Sequence, residues 1–318
     1  MNFNLLLDNI TSPALLFFIL GILAVQLKSD LEIPPQSSKF ISLYLLFSIG
    51  FKGGQELSHS HFDLNIAWAI LFGISISIAI PFYTFFILKK KLGVENAGAI
   101  AASYGSVSAV TFVTAVSFLE VQKVTFNGHM VAIMALMEAP AIIVGVLLIT
   151  WFQKNNTIKI SEIAKHSFTN GSVLLILGSL LIGLLANQNQ AEGIKPFTTD
   201  LFKGFLVIFL LDMGITSGKK LHDFIKNGWF TSLFALVIPF VNGCLVAYLS
   251  QFITPEIGDR FIFAVLAASA SYIAVPAAMK IAVPKANPGL YLPMALAVTF
   301  PFNITIGLPV YYAVITML

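Results

Sequence analysis

Charge is what this chain has least of. Only 10% of its residues are Asp, Glu, Lys or Arg, against about 25% in an ordinary soluble domain, while 57% are hydrophobic and the mean hydropathy is +0.88. A water-exposed surface cannot be built from that composition, so the chain is expected to be an integral membrane protein. Arginine is nearly absent: Arg260 is the only one, at the end of an apolar stretch. No bidentate guanidinium is therefore available at membrane depth to clamp a carboxylate or phosphate. That argues against phosphate esters and nucleotides and for a small anion of single charge. Cysteine is equally scarce. Cys244 stands alone, so no internal disulfide forms, and no Cys or His cluster suggests zinc. The net charge of +3 is better explained by loop lysines than by a nucleic-acid surface. A phosphate-cradling P-loop, a G-x-S-x-G elbow and a nucleophile–base pair are all missing, so an enzyme is not expected. A basic region before the first apolar run is missing too. Asp8 is the only charge there, so the first segment is expected to stay as a span rather than be cleaved.

What the chain has in abundance is apolar stretches. A bilayer core takes about 20 apolar residues per helix. Ten candidates run at about 12–27, 37–52, 64–88, 96–118, 126–152, 170–187, 201–218, 226–252, 260–283 and 289–316. The expected fold class is therefore all-α, with ten transmembrane helices. When the loops are placed on alternate sides, 13 basic residues fall on one side, among them Lys28, Lys39, Lys89 and Lys219. The other side receives 5: Lys52, Lys123, Lys195, Lys203 and Arg260. The lysine-rich side is expected to be cytoplasmic, with both termini outside.

Two halves are visible, 1–152 and 170–318, joined by a charged cytoplasmic linker at 153–169. Gly50-Phe-Lys-Gly-Gly54-Gln-Glu-Leu57 and Gly214-Ile-Thr-Ser-Gly218-Lys-Lys-Leu221 share Gly, Gly and Leu at an offset of 164. Ala101-Ala-Ser103 recurs as Ala267-Ala-Ser269 at an offset of 166, and Pro140 has a counterpart in Pro301. Five spans per half make such a repeat inverted across the membrane, an arrangement many secondary transporters use.

The stretch Ala97 to Thr111, AGAIAASYGSVSAVT, has ten Ala, Gly or Ser among its fifteen residues. Ala267 to Ala278, AASASYIAVPAA, has the same character. Small residues let helices approach closely, and that alone would account for one such stretch. Two of them at matching places in a repeat point instead to two broken helices, about 96–118 and 260–283, crossing near the midplane. Each break presents a half-helix N-terminus with unpaired N–H groups and partial positive charge, which suits an anion. The candidate anion site is Gly105, Ser106, Val107, Ser108 and Ala109 with Ser269, Ser271, Tyr272, Ile273 and Ala274.

Glu138, beside Pro140 in the middle of the fifth span, and Asp212, in the seventh, are buried carboxylates of the kind that mark ion pathways. Glu138 is a candidate cation ligand or proton carrier, or an acceptor that merely serves the backbone irregularity at Pro140. Asn303 adds a neutral oxygen just past Pro301. Glu138 and Asn303, with Ser103 and Thr111 on either side of the first break, form the candidate cation set. His59 and His61 flank Ser60 in an outer loop and read as solvated rather than metal-binding.

At these residues the chain resembles the sodium-dependent bicarbonate transporter family, whose best-known members are cyanobacterial symporters. The resemblance rests on GFKGGQEL at 50–57, YGSVSAVTFVTA at 104–115, MEAPAIIVG at 137–145, AASASYIAVPAA at 267–278 and VPKANPGLYLP at 283–293. It implies a bacterial inner-membrane protein of ten helices in a five-plus-five inverted repeat. Interleaved core and gate domains would work as an elevator in a homotrimer. It also implies bicarbonate bound at Gly105 to Ser108 and Ser269 to Ala274 with sodium nearby, and a possible PII-like regulator on the cytoplasmic face. The chain departs from the cyanobacterial members in the second break, where Tyr272, Ala274 and Val275 replace more polar residues, and in its short linker. The expectation is sodium-dependent uptake of bicarbonate or another small anion, in contact with membrane lipid. No cofactor beyond the coupling ion sodium and no nucleic acid are expected. The alternatives are a sodium- or proton-coupled monocarboxylate carrier, a cation–proton antiporter using Glu138, or a sensor that binds the anion without moving it.

Overall fold

The computed structural model describes residues 3–58, 64–153, 165, 169–225 and 228–318. His59, His61 and most of the 153–169 linker lie outside them. Among the described residues all regular structure is helical. The elements are α1 (Phe3–Ile10), α2 (Pro13–Gln26), α3 (Pro35–Ser58), α4 (Leu64–Leu92), α5 (Val94–Gly105), α6 (Ala109–Val121) and α7 (His129–Phe152). They continue with α8 (Gly171–Leu185), α9 (Gln188–Lys195), α10 (Phe202–Ile225), α11 (Trp229–Leu249), α12 (Ile257–Ala268), α13 (Ala274–Ala282) and α14 (Pro288–Met317).

Among the described residues, six helical segments are long and apolar enough to cross a membrane: α4, α5 with α6, α7, α9 with α10, α11 and α14. The apolar helices α2 and α8 are shorter, at 14 and 15 residues. Two boundaries differ from those expected. α3 runs on to Ser58 because its polar end is paired: Gln55 donates from Nε2 to the carbonyls of Gly183 on α8 and of Ala186 at its C-cap. The segment expected at 201–218 begins earlier, at α9. There Asn187 and Gln190 form a reciprocal capping box, and a π turn at Pro196–Asp200 leads into α10.

Burial separates the segments into two kinds. The apolar window of the α5–α6 segment is 89% buried, whereas those of α4 and α11 are only 39% buried. The first is core. The other two present Trp68, Leu71, Phe82, Leu233, Val241 and Leu245 outward, as lipid-facing helices do. The small residues of α5 serve this burial. A side chain at Gly98 would meet Ile149, one at Gly145 would meet Ala102, and one at Gly105 would meet Pro81 of α4. Close packing, which the sequence offered as the simpler account, is thus realised alongside the break.

Packing follows one pattern in both halves. α3 lies along α8, and α2 lies along α10. α4 packs on α5 and α7, just as α11 packs on α12 and α14. The paired glycines explain the first two contacts. Gly50 and Gly54 of α3 abut backbone of α8, while Gly214 and Gly218 abut α2. Gly50, Gly54 and Gly214 let facing helices approach to their backbones, and Gly218 makes room for the Val25 side chain.

The loops after the breaks correspond as well. Asn127, between α6 and α7, donates its backbone N–H to Asp259 Oδ1 at 2.7 Å and its side-chain amide to Oδ2 at 2.8 Å. His129 Nε2 lies 3.6 Å from the same carboxylate, which is fully buried in the first turn of α12. In the other half, the backbone N–H of Asn287 donates to Asn96 Oδ1 in the first turn of α5, at 2.9 Å. Asp259→Ala leaves the Asn127 donors without an acceptor. It is expected to cost about 1–3 kcal/mol per buried unmade bond, read as a lowered melting temperature in detergent, with Asp259→Asn intermediate.

α14 is irregular for a readable reason. Pro293, Pro301 and Pro309 each remove a backbone donor, and π turns fill Met294–Thr299 and Asn303–Gly307 between them. Carbonyls within these turns are taken up from outside. Ser217 Oγ donates to Leu296 at 2.7 Å, and Asn9 Nδ2 donates to Ile304 at 2.9 Å.

Candidate functional site

Each broken helix is interrupted at a Ser-x-Ser sequence. α5 ends at Gly105, and Ser106 turns extended, with φ −81° and ψ 174°. Ser108 then caps α6, its Oγ accepting from the Thr111 N–H at 3.2 Å. α12 ends at Ala268, and Ser269 turns extended in nearly the same way, with φ −85° and ψ 168°. Ser271 follows, and α13 begins at Ala274. The C-cap geometry therefore pairs Ser106 with Ser269, while the following half-helices are capped at Ser108 and Ile273, so the second break is two residues longer. The match expected from Ala101-Ala-Ser103 and Ala267-Ala-Ser269 is three residues out of register. Repeated alanines allow that slip; backbone dihedrals do not.

The two breaks are bonded to each other. The Ser271 N–H donates to the Ser103 carbonyl at 2.7 Å, and Ser103 Oγ donates back to the Ser271 carbonyl. The Ser108 N–H donates to Ser269 Oγ at 3.0 Å, and that hydroxyl donates to the Leu266 carbonyl. Asn303 Nδ2 donates to the Ala268 carbonyl at 2.6 Å, while Asn303 Oδ1 accepts from Tyr311 at 2.9 Å. Backbone groups released by unwinding are satisfied by these bonds, as a membrane interior requires. Ser106 Oγ is buried and has no hydrogen-bond partner among the described residues.

Both half-helix N-termini open on one cavity. Val107, Ser108 and Ala109 line it from the first break, and Ser271, Tyr272, Ile273 and Ala274 line it from the second. Glu138 of α7 completes the polar lining with Ser172 of α8, and Leu46, Met134, Ala135, Val173 and Ile176 form the apolar wall. The cavity has about 30 Å³ of room. One water needs roughly 10–15 Å³ on that measure, so the space suits a small ion and nothing bulky.

The expected site residues thus divide. Seven of the ten anion candidates line the cavity. Gly105 stands behind it against Pro81 of α4, Ser106 is buried outside the lining, and Ser269 ties the breaks together. Of the cation candidates only Glu138 lines the cavity. Ser103, Thr111 and Asn303 are buried in the joint behind it. Among the described residues, no hydrogen bond or ion pair engages the Glu138 carboxylate. Arg260 is not among the lining residues; it donates to the Ala247 carbonyl at 3.4 Å. Sequence reasoning missed the wall from α3 and α8, because Leu46, Ser172 and Ile176 look like any span residues until the helices are packed.

A larger vestibule of about 470 Å³ adjoins the cavity, sharing Ser172, Tyr272 and Ile273 with it. Lys39, Lys219 and Glu32 also line it, and Lys219 lies 3.9 Å from Glu32. The arrangement offers an anion two helix N-termini, offers a cation one carboxylate, and gives both a route to one face.

Residues 13–316 match the sequence model of a family described as the Na+-dependent bicarbonate transporter superfamily, which takes in every element from α2 to α14. No curated protein matches the chain.

Proposed function

From the premise that the chain belongs to the Na+-dependent bicarbonate transporter superfamily, we propose that it carries bicarbonate, or another small monovalent anion, together with sodium across the membrane. The observation that carries this reading is the single small cavity between two half-helix N-termini with Glu138 on its wall. The helix ends attract the anion. Glu138 would repel an anion bound alone, so a cation beside it is needed before the anion is held well. One sodium with one bicarbonate is neutral overall, which lowers the cost of crossing a low-dielectric core. The coupling is reciprocal: each ion raises the affinity for the other.

Alternating access fits the same packing. The correspondence of α2–α7 with α8–α14, down to the glycine pairs, supports an inverted repeat of ten spans. The helices around the breaks, α4 to α7 and α11 to α14, form the core that moves. The paired helices α2, α3, α8 and α10 form the gate. The vestibule carries Lys39 and Lys219 of the lysine-rich side, so the cavity opens toward the cytoplasm in this conformation.

Uptake of labelled bicarbonate into proteoliposomes, with and without an inward sodium gradient, tests the proposal. Stimulation by sodium is expected, and its absence overturns the reading. Glu138 favours one second reading, proton coupling, because its carboxylate has no partner among the described residues. Under sodium coupling, Glu138→Gln raises the sodium concentration needed for half-maximal uptake and leaves transport otherwise intact. Under proton coupling, the same change abolishes the pH dependence of transport.

A further inference from the structure

A second carboxylate lies on the route between the cavity and the lysine-rich face. Asp212 sits in the middle of α10, is 7% exposed, and lines the vestibule that Tyr272 and Ile273 share with the cavity. Its one hydrogen bond comes from Ser38 Oγ on α3, accepted at Oδ2. A carboxylate has about four lone-pair positions, so most of its capacity is unused. Ser42 and Thr216, each one turn beyond Ser38 and Asp212, also line the vestibule. Lys219 lines the same vestibule and its charge acts on Asp212, but its ion-pair partner, at 3.9 Å, is Glu32, and among the described residues no lysine lies within ion-pairing distance of Asp212.

A second large cavity, of about 430 Å³ between α3, α6 and α9, gives the contrast. Its acid, Glu120, is held by Lys52 at 3.6 Å and by Lys203 at 3.3 Å. Buried carboxylates are costly unless paired. Glu120, 30% exposed, is held in direct ion pairs by two lysines, whereas Asp212, more deeply buried, has none within 4 Å and feels Lys219 only at longer range. We propose that Asp212, with the hydroxyls of Ser38, Ser42 and Thr216, forms a transit site for a monovalent alkali cation. The cation would pause there between the Glu138 cavity and the cytoplasmic face. One carboxylate among neutral oxygens supplies a single negative charge, which matches sodium better than a divalent ion. The site rests on the sodium coupling proposed above and extends it: the cation leaves by the same vestibule as the anion and is held there, so the Asp212 charge does not block the anion.

The test compares inside-out with right-side-out membrane vesicles holding the full chain. Asp212→Asn is expected to raise the half-saturating sodium concentration about tenfold when sodium is supplied at the vestibule face, the size of effect that follows from removing one charge from a partly buried site. The value at the opposite face should stay within about twofold, and Asp212→Glu should restore the first. An unchanged value, or an equal rise at both faces, overturns the transit site. Ser38→Ala should give a smaller rise at the same face only. If the wild-type chain shows no sodium-stimulated transport in either orientation, the proposed function falls. The transit site is then judged by melting of purified protein in sodium against choline chloride. A sodium-dependent rise that Asp212→Asn reduces supports it, and no such reduction removes it.

Discussion

Gly214→Leu is expected to leave no folded protein, with only aggregate recovered after solubilisation. A Cβ at Gly214 would meet the Phe18 carbonyl carbon and oxygen and the Cα of Gly21, and one at Gly21 would meet the Leu211 carbonyl oxygen. These are backbone atoms of facing helices, so no rotamer change makes room. An extra methylene in an adaptable core costs about 1–3 kcal/mol. A whole isobutyl group between two touching backbones must part α2 from α10 and undo a contact that runs their length. Total stabilities of about 5–15 kcal/mol leave little margin for that. Gly54→Leu, at the matching crossing of α3 on α8, should behave in the same way. Gly178→Leu and Gly204→Leu serve as controls, because a Cβ at either position meets nothing within 4 Å. Monodisperse Gly214→Leu with the melting temperature of Gly204→Leu would sink the account.

The same glycines show what could be read before the structure. Gly50-x-x-x-Gly54 and Gly214-x-x-x-Gly218 are visible in the sequence as a repeat at an offset of 164; that they bring helices together is visible only in the packing. The breaks were legible in the sequence too, since Ser and Gly cluster where a helix unwinds. Which hydroxyls face the cavity was not legible. Ser106 and Ser108 look alike in sequence, yet one is buried behind the site and the other caps α6 at its edge, a difference set by two residues' dihedrals. By sequence Asn303 offers a cation a neutral oxygen; in the structure its side-chain amide holds the Ala268 carbonyl and its oxygen accepts from Tyr311. The Ser38–Asp212 contact joins residues 174 positions apart and depends on how α3 meets α10. Local chemistry was visible in the sequence, and its long-range partners were not.

Ala109→Leu is expected to abolish transport while leaving the protein folded. Ala109 is the first residue of α6 and lines the cavity directly, beside the Ser108 cap. Its backbone N–H is one of the free donors of the half-helix, and the substitution leaves that donor in place. Leucine is at least as good a helix former as most residues, so α6 should start where it does now. What changes is space. The isobutyl group enters a cavity of about 30 Å³, and no room is left for an ion there. Uptake should fall about a hundredfold or more, equivalent to roughly 2.7 kcal/mol, with the sodium-dependent component lost along with the anion. Because the cavity joins the vestibule, the side chain can expand outward, and melting should drop by no more than overpacking costs, about 1–3 kcal/mol. Ala109→Ser, which adds one atom and a hydroxyl, should keep most of the activity. The pair separates two accounts of the small-residue stretch. If smallness at Ala109 serves helix packing, leucine unfolds the protein and transport is lost with it. If it serves the ion, leucine gives a folded, inactive protein. Because Ala109 faces the cavity and Gly105 faces Pro81, the two roles lie on opposite sides of the same break, and Gly105→Leu should give the unfolded result that Ala109→Leu does not.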